Sequence, residues 1–517
     1  MIISFEPASR RSSDSIDPIV EAARRHFGIP YLYPIQRFVI SNILEQKNQI
    51  VVLPTGAGKS LCYQLPARIC GGLTVVLVPL LSLLADQLER CREAGLRAEA
   101  LRGGQSPEYR RRLVHRLRSG AIDLLFATPE SLEKIGRSAR LGDLDIDRLV
   151  VDEAHCISEW GRSFRPAYLH LGEIIRHLKI RCLTAFTATA SPRVAETIQE
   201  VLFTGQSATV LSADPDRPNI RYGVIPTLSK ARTLRLLAEY APRPLLVFTR
   251  TRSGAERAAR ILRRRFPELE IRFYHAGLTR EERRGVETWY KPNHDGILTA
   301  TSAYGMGVDK PDIRSVIHLD IPYSPESYLQ ETGRAGRDGR AVDARLLYSA
   351  EDLGFAEILA GGSARASVRT FDPLADERYA QMLGYALNTR RCRREQLLAF
   401  QGRRMHSCSG CDICAGTARE RAEGETRILD FASRNRRRFT MLQAVQLLKG
   451  AKSHEVVRAA LDSYDGFGML ADWQEEEIRE ALESLLRAGK ISVSQRGFWK
   501  DRLTTGPVFP KIERSEI

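Results

Sequence analysis

Val51–Ser60 reads VVLPTGAGKS. A short apolar run, Ile50–Leu53, enters a glycine-containing loop and leaves it as Lys-Ser at the start of a helical stretch. Gly56 and Gly58 let the backbone turn so that several N–H groups face one point. Such a nest at a helix N-terminus suits a phosphate chain. In this reading Thr55, Gly56, Ala57, Gly58, Lys59 and Ser60 wrap the phosphates of ATP, with Lys59 reaching the β/γ-phosphates and the Ser60 hydroxyl ligating Mg²⁺. The first glycine of the full phosphate-loop spacing is absent, and Leu53 or Pro54 stands in its place.

A second strand end completes the idea. Val150–His155 reads VVDEAH, an apolar run that delivers Asp152 and Glu153 where open α/β sheets bind ligands. Asp152 is suited to hold Mg²⁺, and Glu153 to orient and deprotonate an attacking water.

Working outward, apolar runs alternate with amphipathic stretches. Ile50–Leu53, Thr74–Val78, Leu124–Ala127, Leu149–Val151 and Cys182–Thr187 form one set; Leu245–Thr249, Ile271–His275, Ile297–Ala300, Val316–Asp320 and Ala344–Tyr348 form another. Continuous apolar strands separated by helices predict two α/β units with buried parallel sheets. Asp214–Pro218 reads as the linker between them. Helices are expected over Ser253–Arg264, Arg280–Tyr290 and Arg378–Phe400, with a hairpin at Ile491–Leu503. The expected limits are a loose leader over 1–18, the first unit over 19–212 and the second over 213–350. A cysteine-bearing helical region over 351–424 and a final domain over 425–517 follow.

The 517-residue chain carries a formal net charge of +15, with 43% hydrophobic residues. That charge points to a polyanionic partner. A membrane span is excluded on pattern: the most apolar stretch, Leu73–Ala85, is broken by Pro79 and falls short of about 18 residues. Met1–Pro18 lacks the apolar segment of a secretory signal. Cys62, Cys70, Cys91, Cys156 and Cys182 are scattered, which fits a reducing intracellular compartment.

Four cysteines cluster instead. Cys392, Cys408, Cys411 and Cys414 follow a C-x15-C-x2-C-x2-C spacing, with Cys392 on a helical stretch and the rest on a tight loop. Four thiolates with no open position describe structural Zn²⁺; an iron–sulfur cluster uses the same ligand type.

Three long segments, DEAHCISEWGRSFRPAY at Asp152–Tyr168, SAYGMGVDKPDIR at Ser302–Arg314 and QETGRAGRDGR at Gln330–Arg340, resemble the RecQ family of superfamily-2 DNA helicases. The resemblance runs from about Phe27 to Lys500. It implies two RecA-like domains followed by a helical zinc-binding subdomain and a winged helix. It also implies ATP-fuelled 3′-to-5′ unwinding, with single-stranded and partly duplex DNA as partner and no membrane. By the same resemblance Gln36 reads adenine, in the segment Leu32-Tyr33-Pro34-Ile35-Gln36 where the family usually has Phe-Arg-Pro-Gly-Gln, so Tyr33 stands in place of an arginine. Thr187-Ala188-Thr189 couples hydrolysis to movement. Gln330, Arg334 and Arg337 close over ATP from the second domain, and Asp309 contacts the sugar or the arginines. The cysteines hold zinc.

His155, Trp160, Phe164 and Arg165 match the family's aromatic-rich loop, where ring faces stack on unpaired bases; a core position for Trp160 and Phe164 is the alternative, and their polar neighbours Glu159, Arg162 and Ser163 argue against it. Arg434–Arg438 is the expected duplex contact, and Phe498 and Trp499 either wedge a base pair or pack. The leading expectation is a DNA helicase of recombination or repair, in the cytoplasm or nucleoid of a bacterium or the nucleus of a eukaryote. A double-strand translocase, an RNA helicase and an ATP-switched DNA-binding scaffold are the alternatives.

Overall fold

The strand that feeds the glycine loop lies deep inside an eight-stranded parallel sheet. In the computed structural model the described residues are 2–4, 17–53, 57–79, 84–102, 104–132, 145–157, 171–178, 180–188, 192–214, 216–304, 310–359, 373–405, 407–494 and 500–506. The first sheet comprises β1 (Ile2–Ser4), β2 (Gln49–Val52), β3 (Leu73–Leu77), β4 (Ala98–Leu101), β5 (Leu124–Ala127), β6 (Ile146–Val151), β7 (Ile180–Thr187) and β8 (Thr209–Ser212). Their order is β1-β8-β2-β7-β6-β3-β5-β4. Successive residues point to opposite faces, and both faces are covered. Ile50, Val75, Leu125 and Leu149 enter one apolar layer with Leu113, Val194 and Ile198 of flanking helices. Val51, Val76, Phe126 and Val150 enter the other with Val39, Ile40 and Leu65.

This order positions the chemistry. β7 alone separates β2 from β6, so the glycine loop and the acid box emerge side by side at one edge of the sheet. Leu53 N–H donates to Thr187 O (2.9 Å) and Ala154 N–H to Phe186 O (2.8 Å), which stitches the three strand ends together.

The second sheet has six parallel strands: β9 (Ile220–Pro226), β10 (Leu245–Phe248), β11 (Ile271–Tyr274), β12 (Ile297–Ala300), β13 (Ser315–His318) and β14 (Val342–Tyr348). They run in the order β11-β12-β10-β13-β14-β9. β4 and β9, both unanticipated, are edge strands. β4 is AEAL, of which only Ala100 and Leu101 are buried, and β9 contains Gly223 and Pro226. Edge strands need no continuous apolar run, which is why the sequence hides them. Ile2–Ser4, within the segment expected to be a loose leader, pairs in parallel with β8.

Asp214–Pro218 is more than a connector. Arg217 donates to the carbonyls of Gly333 (3.1 Å), Ala335 (2.9 Å) and Gly336 (2.9 Å). Asp216 pairs with the fully buried Arg394, which also donates to Arg217 O (3.0 Å) and Ile220 O.

The helix expected over Arg378–Phe400 is two helices, Pro373–Leu387 and Arg393–Phe400. Asn388 Oδ1 accepts from Arg390 N–H (2.8 Å) and Arg391 N–H (3.1 Å), a side-chain-closed turn that ends the first helix. Cys392 therefore sits at the N-cap of the second helix rather than within one. The cysteine loop then extends the open edge of the second sheet: Asp412 N–H donates to Tyr222 O (2.9 Å), and Asp412 Oδ2 accepts from Val224 N–H (2.9 Å).

The last domain packs helices Glu425–Arg434, Met441–Lys449, His454–Arg458 and Glu475–Arg487 with an antiparallel hairpin, β15 (Ile491–Val493) and β16 (Leu503–Thr505). Ile428, Phe431, Leu447, Ile478, Leu482 and Ile491 form its core. Helix Glu475–Arg487 begins with three glutamates and docks on helix Lys230–Tyr240 of the second sheet. Arg235 bonds both carboxylate oxygens of Glu477 (3.0 and 3.2 Å), and Ser229 Oγ donates to Glu480 (2.6 Å). Arg232 reaches Asp472 (2.7 Å) and lies 4.4 Å over the Trp473 ring. Among the described residues no helix is long and apolar enough to cross a membrane.

Candidate functional site: a cleft between two sheets

Lys59 opens the helix after the glycine loop, and its Nζ lies 3.1 Å from Glu153 Oε1. Burial works against the charge of Lys59, but Glu153 and Asp152 outweigh it and raise its pKa. Burial also works against Glu153; there Lys59, His155 and Arg334 win and hold the carboxyl below its ordinary value. Asp152 goes the other way: burial, reinforced by the charge of Glu153, pushes it up to about 6 against the pull of Lys59. Glu153 has φ of +49°, a strained conformation for a non-glycine residue that is typical of functional positions. Its Oε2 is buried, 3.4 Å from His155 Nδ1, and accepts no hydrogen bond from the protein. A buried carboxylate with one oxygen held by a lysine and the other without a hydrogen bond is suited to orient water. Ser60 Oγ and the Asp152 carboxylate offer the hard oxygen ligands that Mg²⁺ takes.

Two polar groups support this centre. Gln87 Nε2 donates to Ser60 Oγ (3.2 Å), and Gln64 Nε2 donates to Gln87 Oε1 (3.1 Å). Neither glutamine carries a sequence signal, since glutamine on a helix is ordinarily a surface residue. Gln36 Nε2 donates to Ala57 O (2.9 Å), which lays helix Pro34–Leu44 against the glycine loop. Gly58 has φ of +73°, which favours glycine, and a Cβ there would lie 2.5 Å from Gln36 Nε2 and push that side chain off the loop.

The opposing wall comes from the second sheet. Arg334 and Arg337 follow helix Pro325–Thr332 and face the acid box. Arg334 stabilises the Glu153 carboxylate, while the positive charge of Arg337 is felt at Lys59. Burial, helped by Arg337, lowers the pKa of Arg334 to about 10, which leaves it a cation at neutral pH. A cavity of about 320 Å³ separates the walls, lined by Glu153 and His155 on one side and Arg250, His318, Gln330 and Arg334 on the other.

His155 departs from expectation. It is buried, with Nδ1 3.2 Å from Thr187 Oγ1 and 3.4 Å from Glu153 Oε2. That placement ties the acid box to the end of β7. Thr55, Gly56, Asp309, Thr189, Trp160, Phe164, Arg165, Phe498 and Trp499 lie outside the described residues.

The four clustered cysteines do converge. The Sγ atoms of Cys392, Cys408, Cys411 and Cys414 all lie within 4.8 Å of one another, and Cys392 and Cys411 are 3.8 Å apart. Tetrahedral zinc with bonds of about 2.3 Å sets its sulfurs about 3.8 Å apart. A cluster of several irons holds its thiolates further apart, so the set fits a single Zn²⁺. Arg393 Nε donates to Asp412 Oδ1 (3.1 Å) just behind the loop and fixes it to the helix that Cys392 caps.

Comparison with known proteins agrees with this layout. Residues 33–198 match the DEAD/DEAH box helicase family, 229–339 the helicase conserved C-terminal domain, 366–415 the RecQ zinc-binding family and 425–506 the RQC domain. The chain is 32% identical over 461 residues to the ATP-dependent DNA helicase RecQ of Bacillus subtilis, covering 88% of this chain and 76% of that one. It is 33% identical over 488 residues to the ATP-dependent DNA helicase hus2/rqh1 of Schizosaccharomyces pombe, covering 89% of this chain but 36% of the relative. Among solved structures, the helicase MrfA bound to DNA shares the fold with a TM-score of 0.55 at 18% identity, over 96% of this chain and 64% of that one.

Proposed function

The chain belongs to the RecQ family of ATP-dependent DNA helicases, and from that premise we propose that it hydrolyses ATP in the cleft between its two sheets to move 3′-to-5′ along single-stranded DNA and open duplex DNA in recombination or repair. One observation carries the reading: the hydrolytic centre is split. Lys59, Asp152 and Glu153 stand on one sheet, and Arg334 and Arg337 on the other, close enough for each group's charge to act on its counterparts.

The roles follow from position. Thr55 to Ser60 cradle the phosphates, and Lys59 neutralises the β/γ-oxygens. Ser60 and Asp152 hold Mg²⁺, which when bound offsets phosphate charge. Glu153 orients and deprotonates the attacking water through Oε2, the oxygen that takes no hydrogen bond from the protein. Gln36 reads adenine, with Gln330 and Asp309 closing the site. Arg334 and Arg337 supply forked positive charge to the phosphoryl group as the cleft closes. A nucleotide touching both walls favours closure, and its cleavage removes that preference. His155, 3.4 Å from Glu153 Oε2 and hydrogen-bonded to Thr187, bridges Glu153 to the end of β7. Trp160, Phe164 and Arg165 meet the unpaired strand directly after it. The domain limits are 19–212, 213–350, 351–424 and 425–517, and the protein works in the reducing compartment that holds DNA.

Lys59→Ala abolishes DNA-stimulated ATP hydrolysis; full turnover in that variant overturns the reading. Strand displacement on 3′-tailed, 5′-tailed and blunt DNA duplexes, with a 3′-tailed RNA duplex alongside, separates a 3′-to-5′ DNA helicase from a translocase, an RNA helicase and an ATP-switched scaffold.

A further inference from the structure

Arg334 and Arg337 stand on a loop that also carries Gly333 and Gly336. Helix Pro325–Thr332 ends at the cap Gly333, so carbonyls beyond its last turn find no donor within the helix. Their donors come from the segment that joins the two sheets, 116 residues earlier in the chain. Arg217 Nη1 donates to Gly333 O (3.1 Å), and its Nη2 donates to Ala335 O (2.9 Å) and Gly336 O (2.9 Å). Asn219 Nδ2 donates to Gly336 O and Arg340 O, both at 2.9 Å. The carbonyls so held bracket Arg334 and Arg337 on either side. The fit is close: Gly336 has φ of +58°, and a Cβ there would lie 2.5 Å from Asn219 Nδ2. Arg217 is not placed for charge pairing. Burial lowers its pKa, and the positive charge of Arg337 acts in the same direction. A cation set beside a second cation, with main-chain carbonyls as its partners, holds backbone. The segment is itself anchored, since Arg394 pairs with Asp216 and donates to Arg217 O (3.0 Å).

We propose that Arg217 is a positioning residue for hydrolysis: its guanidinium fixes the loop backbone so that Arg334 and Arg337 meet the phosphoryl group at the right depth. The inference rests on the ATP-hydrolysing role given above and adds to it a residue outside the cavity's lining. The planar fork suits the task, because it spans three carbonyls at once where an ammonium would reach fewer. Such bonds from a charged donor are stronger than those between neutral groups. Placement matters here, since a shift of about 1 Å in a catalytic group can cost about 10²-fold in rate. Arg217 acts through the two arginines and not on the nucleotide, so its loss falls on turnover and leaves ATP binding in place.

The test is a double-mutant cycle in the full chain, read by steady-state DNA-stimulated ATP hydrolysis. Arg217→Ala lowers kcat by about 10²-fold while KM for ATP stays within about twofold. Arg217→Lys, which keeps a cation and disturbs folding least, still lowers kcat by about tenfold. Introduced on top of Arg334→Ala, Arg217→Ala costs no more than about a further threefold, because the group it positions is already gone. An unchanged kcat in both Arg217 variants overturns the proposal. So does a full, multiplicative loss in the Arg334→Ala background, which would place the action of Arg217 elsewhere. A fall in kcat matched by a rise in KM and a lower melting midpoint in both variants also overturns it, since general loosening would then account for the loss. The broader reading stands or falls separately: if Lys59→Ala loses hydrolysis while both Arg217 variants turn over like the unaltered protein, only the positioning role is lost.

Discussion

The two sheets share a construction and differ in what their loops carry. Both are parallel and covered by helices, and both turn the C-terminal ends of their central strands toward one cleft. The first carries Lys59 beside Asp152 and Glu153; the second presents guanidinium groups to the cavity. In the proposed roles the first set holds the base and the second the forked cations, so hydrolysis draws on both. The contrast teaches that the scaffold is neutral toward chemistry, and that dividing complementary groups between two copies of it makes the reaction depend on their approach.

Breaking the second wall should have the largest effect. Arg334→Ala is expected to lower DNA-stimulated kcat by about 10³-fold or more, read by steady-state hydrolysis. Arg334→Lys should recover little of it, since an ammonium lacks the planar fork. Breaking the first wall at its base is expected to cost less: Glu153→Gln should lower kcat by about 10²- to 10⁴-fold while a fluorescent ATP analogue still binds. If the analogue is lost as well, Glu153 holds Lys59 in place and does more than act on water.

The zinc region sharpens the comparison, since only the second sheet has its edge extended by a metal loop. Cys411→Ser should lose the single equivalent of zinc found by elemental analysis and lower the melting midpoint by about 5 °C or more. The smallest effect belongs to the last domain's dock. Arg232→Ala removes a guanidinium shared by Asp472, Glu423 and the Trp473 ring. Both carboxylates are substantially exposed, so the loss should be about 2 kcal/mol at most, visible as faster hydrogen exchange in helix Glu475–Arg487.

What the sequence discloses follows from burial. Central strands such as Leu124–Ala127 and Ile297–Ala300 are continuous apolar runs, and their limits match those read from sequence residue for residue. β4 escapes because half its residues are only partly buried, and β9 because Arg221, Gly223 and Pro226 interrupt its apolar run. The chemical groups were legible where a motif fixes their spacing: Lys59, Asp152, Glu153, Arg334 and the cysteines meet as expected. His155 was not, because a histidine beside an aromatic-rich segment reads the same whether it faces a base or Thr187. Gln87 was silent for the opposite reason, since its role depends on which loop lies opposite, and only the folded chain decides that.

The fastening of Asp214–Pro218 has a consequence for distance. Ala213 is held to the first sheet by its bond to Val52 O (3.0 Å), and Asp216 is held to the second by Arg394. Three peptide steps join them, a reach of about 11 Å at full stretch. The two sheets that carry the halves of the site are thus leashed by a tether of about 11 Å. Their meeting is an intramolecular collision at millimolar or higher effective concentration. Inserting a run of glycine and serine between Ala213 and Asp216 would dilute one wall against the other without touching any residue of the cleft.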